Sequence, residues 1–238
     1  MNRQRLDREL VRRGLVRSRH EASELIRQGR VLVTGIDNPK PATSVSANVE
    51  IEVVPGPRFV SRAGYKLDAA LAHFGVEVVG RRALDIGASA GGFTDCLLQR
   101  GAVGVVAVDV GSGQFSPLLA ADPRVTILEG TDVRHLEYPP LPLVVVDVSF
   151  ISLCDLAADL ARLTETGGDL IALVKPQFEV GRAAIKRGLV RAGTPARDPL
   201  AKVRDCFKDA RMDTVGTFDS PLTGEHGNQE TFLWARRR

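Results

Sequence analysis

Apolar positions near the start of the chain recur at helical spacing. Leu6 and Leu10 share a face at i and i+4, Arg5, Arg8, Arg12 and Arg13 decorate the remainder, and Gly14 suits the stop. Ser18 followed by Glu21 has the form of a capping box, with Ala22, Leu25 and Ile26 at helical spacing behind it and Gly29 as the stop. Arg30 to Val33 reads as a short strand entering a Thr34-Gly35 turn. After the Pro39-Lys40-Pro41 break, a second strand is predicted near Val49 to Val54. Two helices and a small β element make a compact α+β module, assigned to residues 1–54.

Pro55-Gly56-Pro57 interrupts this pattern, and residues 55–61 read as a linker. Beyond it a helix is expected over Arg62 to Phe74. Apolar runs follow at Ala83–Ile86, Val103–Val108, Val125–Leu128, Leu143–Val146 and Leu170–Val174, separated by helical stretches. Short continuous apolar runs alternating with helices predict a mostly parallel sheet covered on both faces, an α/β domain over residues 62–238. Two late β-rich runs, Thr214–Phe218 and Glu230–Ala235, belong to the same domain.

Charge sharpens the division. The chain has 238 residues and a net charge of only +3. Residues 1–62 carry 12 Lys and Arg against 7 Asp and Glu, a net of +5, and the rest carries −2. A basic module ahead of a near-neutral body suggests a polyanionic partner. Cys96, Cys154 and Cys206 have no paired spacing, which argues against a disulfide or a zinc site and fits a reducing cytosol. His20, His73, His135 and His226 are scattered, so no metal is expected. The charged start carries no signal-peptide pattern, and the apolar run Leu141 to Val146 is too short to span a membrane, so a soluble cytoplasmic protein is expected.

The sharpest local feature is the turn Leu84-Asp85-Ile86-Gly87-Ala88-Ser89-Ala90-Gly91-Gly92-Phe93-Thr94, placed between a strand and a helix where small residues let backbone amides approach a ligand. Dinucleotide binding would need glycine where Ser89 stands. A hydrolase could use Ser89, since Gly87 to Gly91 matches G-x-S-x-G and Asp219 and His226 follow in triad order. However, the strands that normally precede such a nucleophile and an upstream His-Gly-Gly segment are both missing. The third reading is S-adenosylmethionine. Its ribose diol needs an acid at the end of the second strand, where Asp109 stands, and Asp132 after the third strand could accept from the adenine amine. The cofactor-binding set so read is Asp85, Gly87, Ala88, Ser89, Gly91, Gly92, Phe93, Thr94, Asp109 and Asp132.

Four stretches carry a resemblance: Ser61-Arg62-Ala63-Gly64-Tyr65-Lys66-Leu67, the turn above, Asp147-Val148-Ser149-Phe150-Ile151-Ser152-Leu153, and Leu173-Val174-Lys175-Pro176-Gln177-Phe178-Glu179. In these the chain closely resembles the TlyA (haemolysin A-like) family, ribosomal RNA 2′-O-methyltransferases related to the FtsJ (RrmJ) enzymes. Arg5-Leu6-Asp7 through Gly29-Arg30-Val31 looks like the RNA-binding domain of ribosomal protein S-four. Arg58-Phe59-Val60-Ser61 resembles the family's interdomain segment, with Phe59 where a tryptophan is usual. The resemblance implies a Rossmann-like class I methyltransferase domain with a seven-stranded sheet, S-adenosylmethionine as cofactor, and cytidines of ribosomal RNA within ribosomal subunits as substrate. Large-subunit rRNA is the expected target. The arginine-rich start resembles the longer type of family member, which adds the small subunit.

The same resemblance implies a catalytic tetrad of Lys66, Asp147, Lys175 and Glu230, with Glu225 lying close to the last. A ribose 2′-hydroxyl must lose its proton as the methyl group transfers, and a lysine beside a second cation is suited to receive it. Lys175 is therefore the expected general base, and Asp147 is its orienting partner and a cofactor-binding acid against the positive sulfonium, with Glu230 balancing the two lysines. Phosphate contact is expected from Arg5, Arg12, Arg17, Arg19, Arg27, Arg30 and Arg62, and from Lys186, Arg187 and Arg191 of a basic loop. A non-enzymatic RNA-binding protein would have no use for the lysines and Asp147 together, and a membrane-lysing protein would need a long amphipathic segment that the chain lacks.

Overall fold

Residues Met1–Arg58 form one unit and Phe59–Arg238 a second. The computed structural model describes residues 3–27, 29–180, 185–186, 189–190, 198–224 and 227–238. In the first unit the order is β1 (Arg3–Arg5), α1 (Leu6–Arg12), α2 (Arg19–Arg27), β2 (Val31–Val33), β3 (Ser44–Ser46) and β4 (Ile51–Val53). The apolar positions that predicted the helices meet: Leu6, Leu10, Ala22 and Ile26 are buried with Val31, Val33 and Val45. β1 pairs antiparallel with β3, and β2 with β4. β1 and β3 are additions to the predicted elements, because Arg3–Arg5 and Ser44–Ser46 lack the clustered apolar residues that marked β2 and β4.

Two acids inside this unit change the picture of its basic surface. Asp7 and Glu9 are buried. Arg5 and Arg19 reach Asp7 at 3.0 and 2.9 Å, and Arg12 and Arg13 reach Glu9 at 2.5 and 2.6 Å. Hydrogen bonds from Arg5 and Arg12 are the main causes holding the Asp7 and Glu9 carboxyls down at about 2. Arg5, Arg12 and Arg19 are thus structural ties as well as surface charge.

The second unit runs α3 (Arg62–Phe74), β5 (Arg82–Ile86), α4 (Gly92–Gln99), β6 (Gly104–Val108), α5 (Pro117–Ala120), β7 (Val125–Leu128), a short 3₁₀ turn (Val133–His135), β8 (Leu141–Val146), α6 (Leu153–Leu163), β9 (Thr164–Val174), α7 (Pro176–Glu179), β10 (Ile185–Lys186), β11 (Leu189–Val190), α8 (Pro199–Asp209), β12 (Met212–Asp219) and β13 (Thr231–Arg237). Among the described residues, seven strands form one sheet in the order β12-β13-β9-β8-β5-β6-β7. β5 through β9 pair in parallel, whereas β13 runs antiparallel to both β9 and β12.

Successive side chains of a strand point to opposite faces, and the core divides accordingly. Leu84, Val106, Val144 and Leu170 pack with Leu156, Leu160, Val203 and Phe207 of α6 and α8. Ala83, Val105, Val145 and Ile171 pack on the other side with Leu67, Leu71 and Leu97 of α3 and α4. From β5 the chain moves outward to β6 and β7 and then returns to β8 on the opposite side of β5. That reversal opens a crevice at the carboxyl ends of β5 and β8, the usual ligand position in such sheets.

One expectation about the cysteines is overturned. Cys154 on α6 and Cys206 on α8 form a disulfide across 52 positions of sequence. Linear spacing carries no information about two helices that pack on the same face of a sheet. Among the described residues, no helix is long and apolar enough to cross a membrane.

Candidate active site

A cleft of about 830 Å³ opens at the carboxyl ends of β5, β6 and β8. Gly87 and Ser89 of the glycine-rich turn line it, with Asp109, Asp132 and Asp147 from the loops after β6, β7 and β8. Gly87 has φ +83°, and a Cβ there would lie 2.5 Å from the Asp147 carbonyl oxygen, so only glycine lets the two strand ends approach. Asp109 accepts from the Ser89 N–H at 2.8 Å through one oxygen and from the Gly111 N–H at 2.7 Å through the other. These bonds fix the carboxylate on the cleft wall, with its remaining lone pairs available. Asp132 accepts from the backbone and side chain of Arg134. The side-chain bond is the main cause holding its carboxyl down at about 2, so it remains an acceptor at neutral pH.

The other residues expected at the turn do not line the cleft. Asp85 is fully buried and accepts from Thr94 Oγ1 at 2.6 Å, while its Oδ1 is buried without a hydrogen-bond partner. Burial, assisted by Asp147 and Asp109, pushes its carboxyl up to about 7 against the Thr94 hydrogen bond. Phe93 packs in the core near Phe232 at 6.2 Å. Gly91 backs onto Leu119 and Gly92 onto Ser61, and Ala88 is buried. These positions shape the strand-to-helix turn from behind.

Two lysine–carboxylate pairs stand at this end of the sheet. Lys66 of α3 donates to Glu230 at 2.6 Å, and both side chains are buried. Lys175 lies 2.7 Å from Asp147 Oδ1, off the angle of a directed hydrogen bond, and donates to Ser149 Oγ at 3.0 Å. Strand register explains the proximity. Thr231 faces Val174 across the β13–β9 ladder, so Glu230 and Lys175 are the next pair outward. Val146 faces Ala172 on the β8–β9 side, with Asp147 one residue on. Neighbouring strands lie about 4.8 Å apart, so the two pairs are carried by α3 and three adjacent strand ends.

Ser149 went unassigned in the sequence, although the Asp-Val-Ser-Phe-Ile-Ser stretch contained it. Phe150 is 92% exposed with φ 68° at the cleft mouth, and its ring lies 5.3 Å from that of Phe178. The hydrolase alternative fails on topology. Ser89 follows β5, whereas Asp219 ends β12, four strand spacings or roughly 19 Å away across the sheet. Asp219 instead accepts from Thr231 at 2.8 Å, and His226, like Glu225, lies outside the described residues.

Among the expected phosphate contacts, Arg17 gives its backbone N–H to Glu21, Arg27 pairs with Glu24, and Arg30 donates to the Val54 carbonyl. Arg62 donates to the Thr223 carbonyl at 3.4 Å. Lys186 ends β10, while Arg187 and Arg191 lie outside the described residues. Among the described residues, no group of three His, Cys, Asp or Glu could hold a metal ion.

The chain is similar to known proteins over nearly its whole length. Residues 59–237 match the FtsJ-like methyltransferase model and residues 4–54 the S4 domain. The chain is 46% identical over 246 residues to the 16S/23S rRNA (cytidine-2′-O)-methyltransferase TlyA of Mycobacterium tuberculosis, covering 98% of this chain and 90% of that protein. It is 32% identical over 242 residues to the 23S rRNA (cytidine-2′-O)-methyltransferase TlyA of Campylobacter jejuni, covering 91% and 93%. A solved structure described as a hemolysin from Streptococcus thermophilus superposes with a TM-score of 0.73 at 36% identity, covering 100% of this chain and 89% of that one. The chain belongs to the FtsJ-like methyltransferase family, as a TlyA-type member with an S4 domain ahead of its catalytic domain.

Proposed function

We propose that the protein transfers a methyl group from S-adenosylmethionine to the ribose 2′-hydroxyl of a cytidine in ribosomal RNA, on the large subunit and on the small subunit as a second substrate. The observation that carries this reading is the placement of the Lys66–Glu230 and Lys175–Asp147 pairs at neighbouring strand ends, with Asp147 on the wall of an acid-edged cleft. At about 830 Å³ the cleft falls within the usual range of small-molecule sites, roughly 300–1,000 Å³. Its donor set also suits the cofactor. Asp109 would accept from the ribose diol and Asp132 from the adenine amine, while Gly87 would let the backbone come close. Bound there, the cofactor supplies an electrophilic methyl group on a positively charged sulfur, for which Asp147 is a matching counter-charge.

The remaining chemistry belongs to the chain. Lys175 accepts the 2′-hydroxyl proton, and Asp147 and Ser149 hold its amine in place. Lys66 adds a second positive charge nearby, and Glu230 offsets it and fixes its position. Holding the hydroxyl in line with the methyl group would supply much of the acceleration, since positioning contributes about 7–11 kcal/mol in favourable cases. The S4-type module, with Arg5, Arg12, Arg17, Arg19, Arg27 and Arg30, contacts RNA phosphate. Arg62, Lys186, Arg187 and Arg191 are assigned the same role. A ribosomal substrate implies that the protein works in the cytoplasm.

The test is methyl transfer from labelled S-adenosylmethionine to ribosomal subunits lacking the modification, with wild type and Lys175→Ala. Label at an alkali-resistant linkage, lost in the variant, is expected. No label on either subunit with cofactor binding intact sinks the rRNA assignment.

A further inference from the structure

Glu179 has no part in the chemistry above, yet it is one of the most enclosed charges in the catalytic unit, its side chain 1% exposed. A buried carboxylate is tolerated only where charge and hydrogen bonds compensate its lost hydration. Here they do. Ser152 Oγ donates to Oε2 at 2.5 Å and the Leu153 N–H donates to Oε1 at 2.8 Å. Lys202 of α8 lies 3.6 Å from Oε2 and donates to the Glu179 carbonyl at 3.0 Å. Leu153 is the first residue of α6, so its N–H has no partner within the helix, and the carboxylate supplies one.

The attachment points give this cap a second meaning. Glu179 ends α7, the short helix that Lys175 precedes, and Ser152 ends the loop that Asp147 begins. Lys175 holds the near end of that loop through Asp147 and Ser149, and Glu179 holds the far end through Ser152 and Leu153. Two cross-links therefore join the same two segments, 147–153 and 175–179. Between them Phe150 adopts φ 68°, a conformation that a bulky residue keeps only where its surroundings impose it.

We infer that Glu179 is a positioning residue for methyl transfer: its carboxylate pins the 147–153 loop to α7, and through that loop sets where Asp147 and Ser149 hold the Lys175 amine. The inference rests on Lys175 acting as the base. It gives the glutamate of the Lys-Pro-Gln-Phe-Glu stretch a role at a distance, since its carboxylate is spent on Ser152 and Leu153 rather than on the Lys175 amine.

The test uses the full chain, ribosomal subunits lacking the modification and labelled S-adenosylmethionine. Single-turnover rates and amide exchange over residues 148–154 are measured for wild type, Glu179→Gln, Glu179→Ala, Ser149→Ala and the Glu179→Ala/Ser149→Ala double variant. Glu179→Ala is expected to slow transfer about 10- to 100-fold, the scale of a displacement of about 1 Å at the reacting groups, and to speed exchange of the Leu153 amide. Glu179→Gln keeps an oxygen for that amide and is expected to restore most of both. In the double variant the two losses should not multiply, because both act on one lysine. A wild-type rate in Glu179→Ala despite faster exchange, losses that multiply, or a Glu179→Gln variant as slow as Glu179→Ala would each overturn the inference. Wild type that labels no rRNA overturns the rRNA reading instead, and the exchange data then decide separately whether Glu179 orders the loop.

Discussion

Replacing Asp85 with Asn should change the pH dependence of stability in a direction opposite to the usual carboxylate. Asp85 is fully buried with one oxygen satisfied by Thr94 and the other left without a partner, and its carboxyl is pushed from 3.8 up to about 7. The folded chain therefore holds a proton that the unfolded chain releases between about pH 4 and 7. Stability falls as pH rises wherever the folded state binds more protons, so wild type loses stability across this window and remains lower above it. With one proton at stake the slope is about −1.4 kcal/mol per pH unit near pH 5.5, and a shift of roughly three units accumulates to about 4 kcal/mol. Asn cannot ionise, but its amide nitrogen would be a buried donor without a partner, an offset of about 1–3 kcal/mol that does not depend on pH. The diagnostic is thus the difference in slope, taken from urea unfolding of both proteins between pH 4 and 8. Two curves that stay parallel through the window would refute the account of Asp85 as a buried, proton-holding acid.

The buried Lys66–Glu230 pair predicts that Lys66→Met costs about 3–5 kcal/mol by stranding the carboxylate, and that adding Glu230→Gln recovers most of it while methyl transfer stays lost. Denaturant titration of the single and double variants, with a transfer assay on each, checks both parts. The Cys154–Cys206 disulfide closes a loop of 52 positions, so reduction, or Cys206→Ser, should lower stability by up to about 4 kcal/mol in the chain-entropy account. Thermal melts with and without reductant read this directly, and a midpoint that reductant does not move would show that the bond adds nothing to stability.

Much of the architecture could be read from periodicity alone, because the signal is local. The helix expected over Arg62 to Phe74 is α3 residue for residue, and the five apolar runs fall on β5 to β9. A side chain's face is set by its immediate neighbours in sequence, so burial of a strand or a helix stripe leaves its mark on every few residues. The acids at Asp109 and Asp147 were legible for a related reason: the end of an apolar run marks the end of a strand, where such sheets bind ligands. Strand order leaves no such mark. It was the β12-β13-β9-β8-β5-β6-β7 arrangement that brought Glu230 beside Lys175, removed Asp219 from Ser89, and set α6 and α8 on one face so that Cys154 could meet Cys206. The tie of Asp7 to Arg19, and of Glu179 to Ser152 and Leu153, belongs to the same class. Each pairs groups whose charge or hydrogen-bonding capacity is plain in the sequence. Which partner each one finds depends on long-range packing, whose free energy is spread over the whole core and leaves no trace in any short window of residues.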